Sequence, residues 1–336
     1  MDLKTLTEIN APSGHEQAIR RFLLDELKKL GFAPVLDRMG NAVVVKEGMG
    51  DAPRKRVMVS AHMDEVGLIV TSATEDGYLR IAAAGGIDPR VLVSKRVTVG
   101  EDKLPGVIGA VPIHLQSAAE RKHVLSMDEL LVDIGAKNKD EAECKAPMGT
   151  YISFDTPYVE YGDGFACGKA FDDRVGCLSL LRLLQEELPV DLVACFVSEE
   201  EVGCRGAKGA AFQQEPDVGI VLEGTTCNDL GDVPETAHVC EAGQGVAVSF
   251  MDGASIANRA LFRKALDVAK QENIPHQVKH SVSGGNDGGA IQRAREGVPV
   301  VVLSVPCRYI HSPSSVVKLS DVESQFALVK ALVKAL

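Results

Sequence analysis

The 336-residue chain is 45% hydrophobic and 25% charged, the composition of a globular protein with room for one large domain or two ordinary ones. Its 36 Lys and Arg against 47 Asp and Glu, a net charge of −11, argue against a nucleic-acid partner, which needs clustered cations to displace phosphate counterions. The amino terminus lacks an apolar run behind a basic start, and no stretch approaches roughly eighteen consecutive apolar residues, so a cytoplasmic protein with no membrane partner is expected.

In chain order, Ser13 and Glu16 have the spacing of a capping box and open a helix whose apolar stripe runs from Ile19 to Leu30, ending at Gly31. Short strands follow at 33–36 and 42–46. The strand Arg56 to Ser60 then releases His62 and Asp64 at its carboxyl end, where ligands and catalytic groups collect in open α/β sheets. From about Leu68 to Tyr161 the texture changes to short β-type runs broken by Gly, Pro and Asp, which predicts a small antiparallel barrel or sandwich inserted at 68–161 into a parent domain formed by 1–67 and 162–336. Beyond Asp172 strands and helices alternate, predicting a helix-covered, mostly parallel α/β sheet. Gly-rich residues 283–289 open a further helix, and Ser320 with Glu323 repeats the capping-box spacing before the last one.

Five apolar runs end at once in carboxylate or imidazole: His62 and Asp64; Asp172 and Asp173; Glu199, Glu200 and Glu201; Glu223; and His311. Taken singly, each has an ordinary explanation, a core histidine, a helix cap or a solvated charge run. Together they supply two imidazoles and several carboxylates with no cysteine at the key turns, the donor set of a hard to borderline cation such as zinc, cobalt or manganese. Two cations sharing a carboxylate, with one free carboxylate as base, would activate water for attack on an amide. The eight cysteines show no C-x-x-C spacing and read as reduced, mostly buried thiols.

His62-x-Asp64-Glu65-x-Gly67, Ala170-x-Asp172-Asp173-Arg174-x-Gly176, Glu200-Glu201-Val202-Gly203-x-Arg205-Gly206 and Tyr309-Ile310-His311-Ser312-Pro313, in this order, resemble the tetrahedral and glutamyl aminopeptidase family over essentially the whole chain. The resemblance implies a zinc-exopeptidase-like fold with an inserted PDZ-like β-barrel, and cleavage of N-terminal residues from short peptides. It implies two divalent metal ions, zinc first, bridged by Asp172, with His62 and Glu223 on one and Glu201 and His311 on the other. Glu200 would be general base and then acid, Asp64 would orient His62, and the Asp172–Asp173 peptide would be cis. Dimers building a tetrahedral dodecamer are implied as well. Three positions depart from the family pattern: Glu223 stands where many relatives have Asp, and Asn286 and Gly288 replace the more frequent Thr and Ala. The rival readings are a related dinuclear deacylase or carboxypeptidase, and a non-catalytic peptide-binding scaffold.

Overall fold

The structure is a computed structural model and describes residues 2–336. Its amino-terminal part comprises α1 (Leu3–Thr7), α2 (Gln17–Lys29), β1 (Val35–Leu36), β2 (Ala42–Lys46) and β3 (Arg56–His62). The chain then winds into a closed antiparallel barrel of β4 (Gly67–Ala73), β5 (Leu79–Ala84), β6 (Arg96–Val99), β7 (Leu104–Gly109), β8 (Leu131–Asp133) and β9 (Tyr151–Phe154), with α3 (Lys139–Lys145) before the last strand. It returns through β10 (Val159–Tyr161), β11 (Phe165–Gly168), α4 (Phe171–Leu183), β12 (Asp191–Val197), α5 (Arg205–Gln214) and β13 (Val218–Thr226). Then follow β14 (Val246–Ser249), α6 (Arg259–Gln271), β15 (His276–Val278), α7 (Asp287–Gln292), β16 (Val300–Arg308), β17 (Ser315–Lys318) and α8 (Leu319–Lys334).

The eleven strands outside the barrel form one sheet whose centre, β12-β3-β13-β16, is parallel, while antiparallel strands extend it on both sides. The expected α/β sheet with a small barrel is thus present. β10 pairs with β11 in the large sheet, so the barrel pairing itself ends at Phe154. Central strands alternate between two buried faces, as a period of two requires. Val57, Val59, Ala61, Leu192, Ala194 and Phe196 meet Leu180, Leu181 and Leu328 on one side. Met58, Val193, Cys195 and Val221 meet Ala207, Ala210 and Ile291 on the other. Each fully buried Leu, Val or Ile of these layers contributes about 1.5–3 kcal/mol, which makes the sheet centre a firm platform for its strand ends.

Neither expected capping box forms. Glu16 stands at the N-cap of α2 without a side-chain cap, and the Ser13 hydroxyl donates instead to Asp64 Oδ2 (2.7 Å). A buried carboxylate is a stronger acceptor than the alternatives at a helix start. Likewise α8 begins at Leu319, one residue before Ser320, and Glu323 turns outward to a bidentate pair with Arg182 (2.8 and 2.8 Å). No helix among the described residues is long and apolar enough to cross a membrane.

Candidate metal centre

Parallel register places the carboxyl ends of the central strands side by side: Val197 lies opposite His62, and Glu223 opposite Ser304. The chain leaves β3 with the Met63 amide bonded to the Val197 carbonyl (2.8 Å). The His62 ring is buried, with Nδ1 3.2 Å from the Asp64 carbonyl and 3.4 Å from Asp64 Oδ1. Asp64 is fully buried and accepts bonds from Ser13, from the Glu200 amide (3.1 Å) and from the Glu201 amide (3.2 Å). It thereby ties the histidine turn to the acidic turn. Burial pushes the Asp64 carboxyl up, but His62, Ser13 and the Glu200 amide outweigh it and hold the group below the usual range.

Asp172 sits between both histidines. Its Oδ1 is 3.3 Å from His62 Nε2 and its Oδ2 is 3.6 Å from His311 Nε2, and the Gly224 amide donates to Oδ1 (3.0 Å). A Cβ on Gly224 would stand 3.0 Å from Asp172 Cβ and Oδ1, so the strand approaches this closely only with glycine there. The Asp172–Asp173 peptide is cis. Asp173, also buried, spends its oxygens on the amides of Gly176 (2.9 Å) and His62 (3.2 Å) and so faces the scaffold.

Glu223 lies inside β13, which runs four residues past the expected strand end at Leu222; its carbonyl is held by Gln325 from α8 (3.1 Å). Glu223 Oε2 is 3.5 Å from His62 Nε2, and its buried Oε1 has no hydrogen-bond partner among the described residues. Glu201 Oε2 is 3.3 Å from His311 Nε2. Thus His62, Asp172, Glu201, Glu223 and His311 come together, Glu200 lines the same cavity, and Asp64 lies beneath them.

The electrostatics follow from the crowding. Burial pushes Glu201 up to about 8 and Glu223 up to about 7, with neighbouring Asp172 adding to both. Burial and the Glu223 charge raise Glu200 well above the carboxylate range. Burial disfavours a charged His311, but Asp172 and Glu201 raise it to about 9. Four carboxylates converge on two imidazoles, and one buried carboxylate oxygen is orphaned. Such a group is stabilised by divalent cations, and donor atoms of His62, Asp172 and Glu201 lie within 4.8 Å of one another. The residues present therefore fit metal ions.

Beside them lies a cavity of about 150 Å³, walled by Glu200, Thr225, Lys279, Ser283 and Asn286. Lys279 was not legible as a site residue: it follows a three-residue strand whose pattern carries no signal. Ser13, whose spacing predicts a cap, binds Asp64 instead. A buried ion pair supports the floor: Lys169 Nζ donates to both Glu65 oxygens (2.8 and 2.8 Å), and Glu65 also accepts from the Ala11 amide (2.8 Å).

The sequence model described as M42 glutamyl aminopeptidase matches residues 40–328. A lysyl aminopeptidase of Pyrococcus furiosus is 33% identical over 99% of this chain and 96% of its own length. A glutamyl aminopeptidase of Lactococcus lactis is 33% identical over 99% and 95% respectively. The solved TET1 peptidase of Pyrococcus horikoshii, described as assembling into a tetrahedron or a large octahedral shell, superposes with a TM-score of 0.87 at 33% identity, over 99% of this chain and 98% of that one.

Proposed function

The chain belongs to the M42 glutamyl aminopeptidase family and is a metal-dependent aminopeptidase, a peptide hydrolase, and from that premise we propose that Asp172 bridges two divalent cations, with His62 and Glu223 on one and Glu201 and His311 on the other. The observation that carries this reading is that the two oxygens of Asp172 face different imidazoles, each of which has its own glutamate at 3.3–3.5 Å. When bound, the cations supply Lewis acidity that polarises the scissile carbonyl and acidifies a water molecule. Glu200, with no cation to bind in this scheme, takes the proton from the attacking water and returns it to the departing amine. Its burial favours the protonated form it must pass through. Asp64 and the Asp64 carbonyl fix the His62 ring. Histidine and carboxylate donors suit zinc first, with cobalt or manganese as alternatives. Treatment with a chelator is expected to abolish hydrolysis of aminoacyl-nitroanilides, with zinc or cobalt restoring it at two ions per chain by metal analysis. Chelator-resistant turnover, or hydrolysis of N-acylated amino acids in preference to free N-terminal peptides, would overturn it.

Family relatives include both lysyl and glutamyl aminopeptidases, and Lys279 supports the acidic preference for this chain. It is buried in the cavity wall, and its ammonium donates a single bond, to the Ser283 carbonyl (3.3 Å), with no ion pair among the described residues. A desolvated ammonium with unused donors is complementary to a carboxylate side chain on the substrate's first residue. A hydrogen bond to a charged group is worth about 1.5–3 kcal/mol, so Lys279→Ala should lower kcat/KM for the glutamyl-nitroanilide by roughly 10- to 100-fold and leave the leucyl one nearly unchanged. An equal loss on both substrates would remove Lys279 from specificity.

The same proposal treats 68–161 as an inserted unit and 1–67 with 162–336 as the catalytic one. It includes a cytoplasmic location, which all eight cysteines being free supports. It also includes assembly from dimers into a tetrahedral dodecamer. Val111, Ile113, Leu115 and Val124 in the barrel's long loop, 59–71% exposed, offer apolar surface for such contacts.

A further inference from the structure

Beside Glu200 stand two groups that the hydrolytic scheme does not use. Cys204 caps α5, and its Sγ donates to Glu200 Oε1 at 3.3 Å. Asp287, the first residue of α7, is 1% exposed, and neither carboxylate oxygen has a hydrogen-bond partner among the described residues. One donor atom from each of Glu200, Cys204 and Asp287 lies within 4.8 Å of the other two. An unpaired carboxylate this deeply buried is costly unless something cationic or a donor meets it. Cys204 also lines a surface groove of about 840 Å³ between α5 and α7, and Asn286 forms the partition between that groove and the catalytic cavity. Cys204 is thus approached from this groove, while Glu200 faces the catalytic cavity.

We propose that Glu200, Cys204 and Asp287 form a separate site for a thiophilic divalent cation, zinc in excess or cadmium, and that its occupation inhibits the enzyme by engaging the Glu200 carboxylate. On binding the cation, the Cys204 thiol, which burial holds protonated, releases its proton to solvent, and the resulting thiolate with two carboxylates makes a softer set than the histidine and carboxylate donors of the catalytic centre. Tetrahedral zinc with bonds of about 2.0–2.3 Å keeps its donors roughly 3.3–3.8 Å apart, so a closure of about 1 Å completes the triad. A Glu200 held in this way cannot accept a proton. The inhibitory half of the proposal rests on the reading of Glu200 as base; the site itself does not.

The test uses the enzyme with its catalytic centre already loaded. Added cadmium should bind as an extra ion per chain, with cadmium–thiolate absorption in the ultraviolet, and turnover should fall in step. Cys204→Ala, which removes the thiol's hydrogen bond to Glu200, should lose both the extra ion and the absorption, with inhibition read relative to that variant's own turnover without cadmium. Its half-inhibitory concentration should rise by at least the roughly 10- to 100-fold that loss of even an outer hydrogen bond to a ligand costs in metal affinity. Asp287→Asn should weaken binding in the same direction, which guards against a folding defect peculiar to position 204. Identical absorption and inhibition in parent and Cys204→Ala overturns the site. Cys204-dependent absorption without inhibition overturns the inhibitory role while the site stands; whether Glu200 is the base is decided separately, by Glu200→Gln.

Discussion

Glu200→Gln is expected to retain both cations and an unchanged melting profile while kcat falls by about 10²- to 10⁴-fold, the usual contribution of a positioned general base. Glutamine keeps the shape of the side chain, and the Glu200 amide still donates to Asp64 Oδ1, so the acidic turn stays in place. The ligands to the cations are other residues in the proposed scheme, so metal content by elemental analysis should not change. KM should move little, because the amide retains most ground-state contacts while losing the ability to carry a proton. Turnover within a few-fold of the parent, at full metal occupancy, would remove Glu200 from the chemistry. Loss of metal together with activity would instead make it a ligand.

The largest effect on stability is expected from Lys169→Met. Lys169 is the direct counter-charge of Glu65, both are buried, and Arg174 approaches the same carboxylate only to 4.0 Å. Removing one member of a buried pair strands the other, at a cost of about 3–5 kcal/mol. For a domain of this size that corresponds to a fall in Tm on the order of 10 °C. The double variant Lys169→Met with Glu65→Leu should recover much of the loss, since it leaves no unpaired carboxylate. Glu65 bonds the Ala11 amide and precedes the barrel's first strand at Gly67, so part of the single variant's defect should appear as looser docking of the amino-terminal segment. Thermal unfolding of the metal-loaded proteins checks this; a single variant within about 1 kcal/mol of the parent would show that Arg174 alone satisfies Glu65.

Much of this architecture was legible before any coordinates because hydrophobic period and turn chemistry are local. The runs ending at His62, Asp172, Glu201 and His311 read as strand and turn ends from their own residues, whereas Glu223 falls inside its strand, and the apolar continuity of 56–61 and 192–197 marked strands covered on both faces. Glycine, proline and aspartate punctuated the barrel region in the same way. Local spacing misleads where a partner distant in sequence competes for the same side chain. Ser13 had the spacing to cap α2, yet Asp64, 51 residues away, took its hydroxyl. Glu323 likewise went to a neighbouring helix, α4, through its pair with Arg182.

By itself, then, the sequence determined the strands, the turns and the kinds of donor they deliver, because each depends on residues adjacent in the chain. Only the tertiary structure decided which oxygen of Asp172 faces which histidine, that Lys279 enters the cavity wall, and that Cys204 and Asp287 close in beside Glu200. Those relations join segments as many as 139 residues apart, between Asp172 and His311, and they are fixed by sheet register and helix packing, for which no short stretch of chain carries a code.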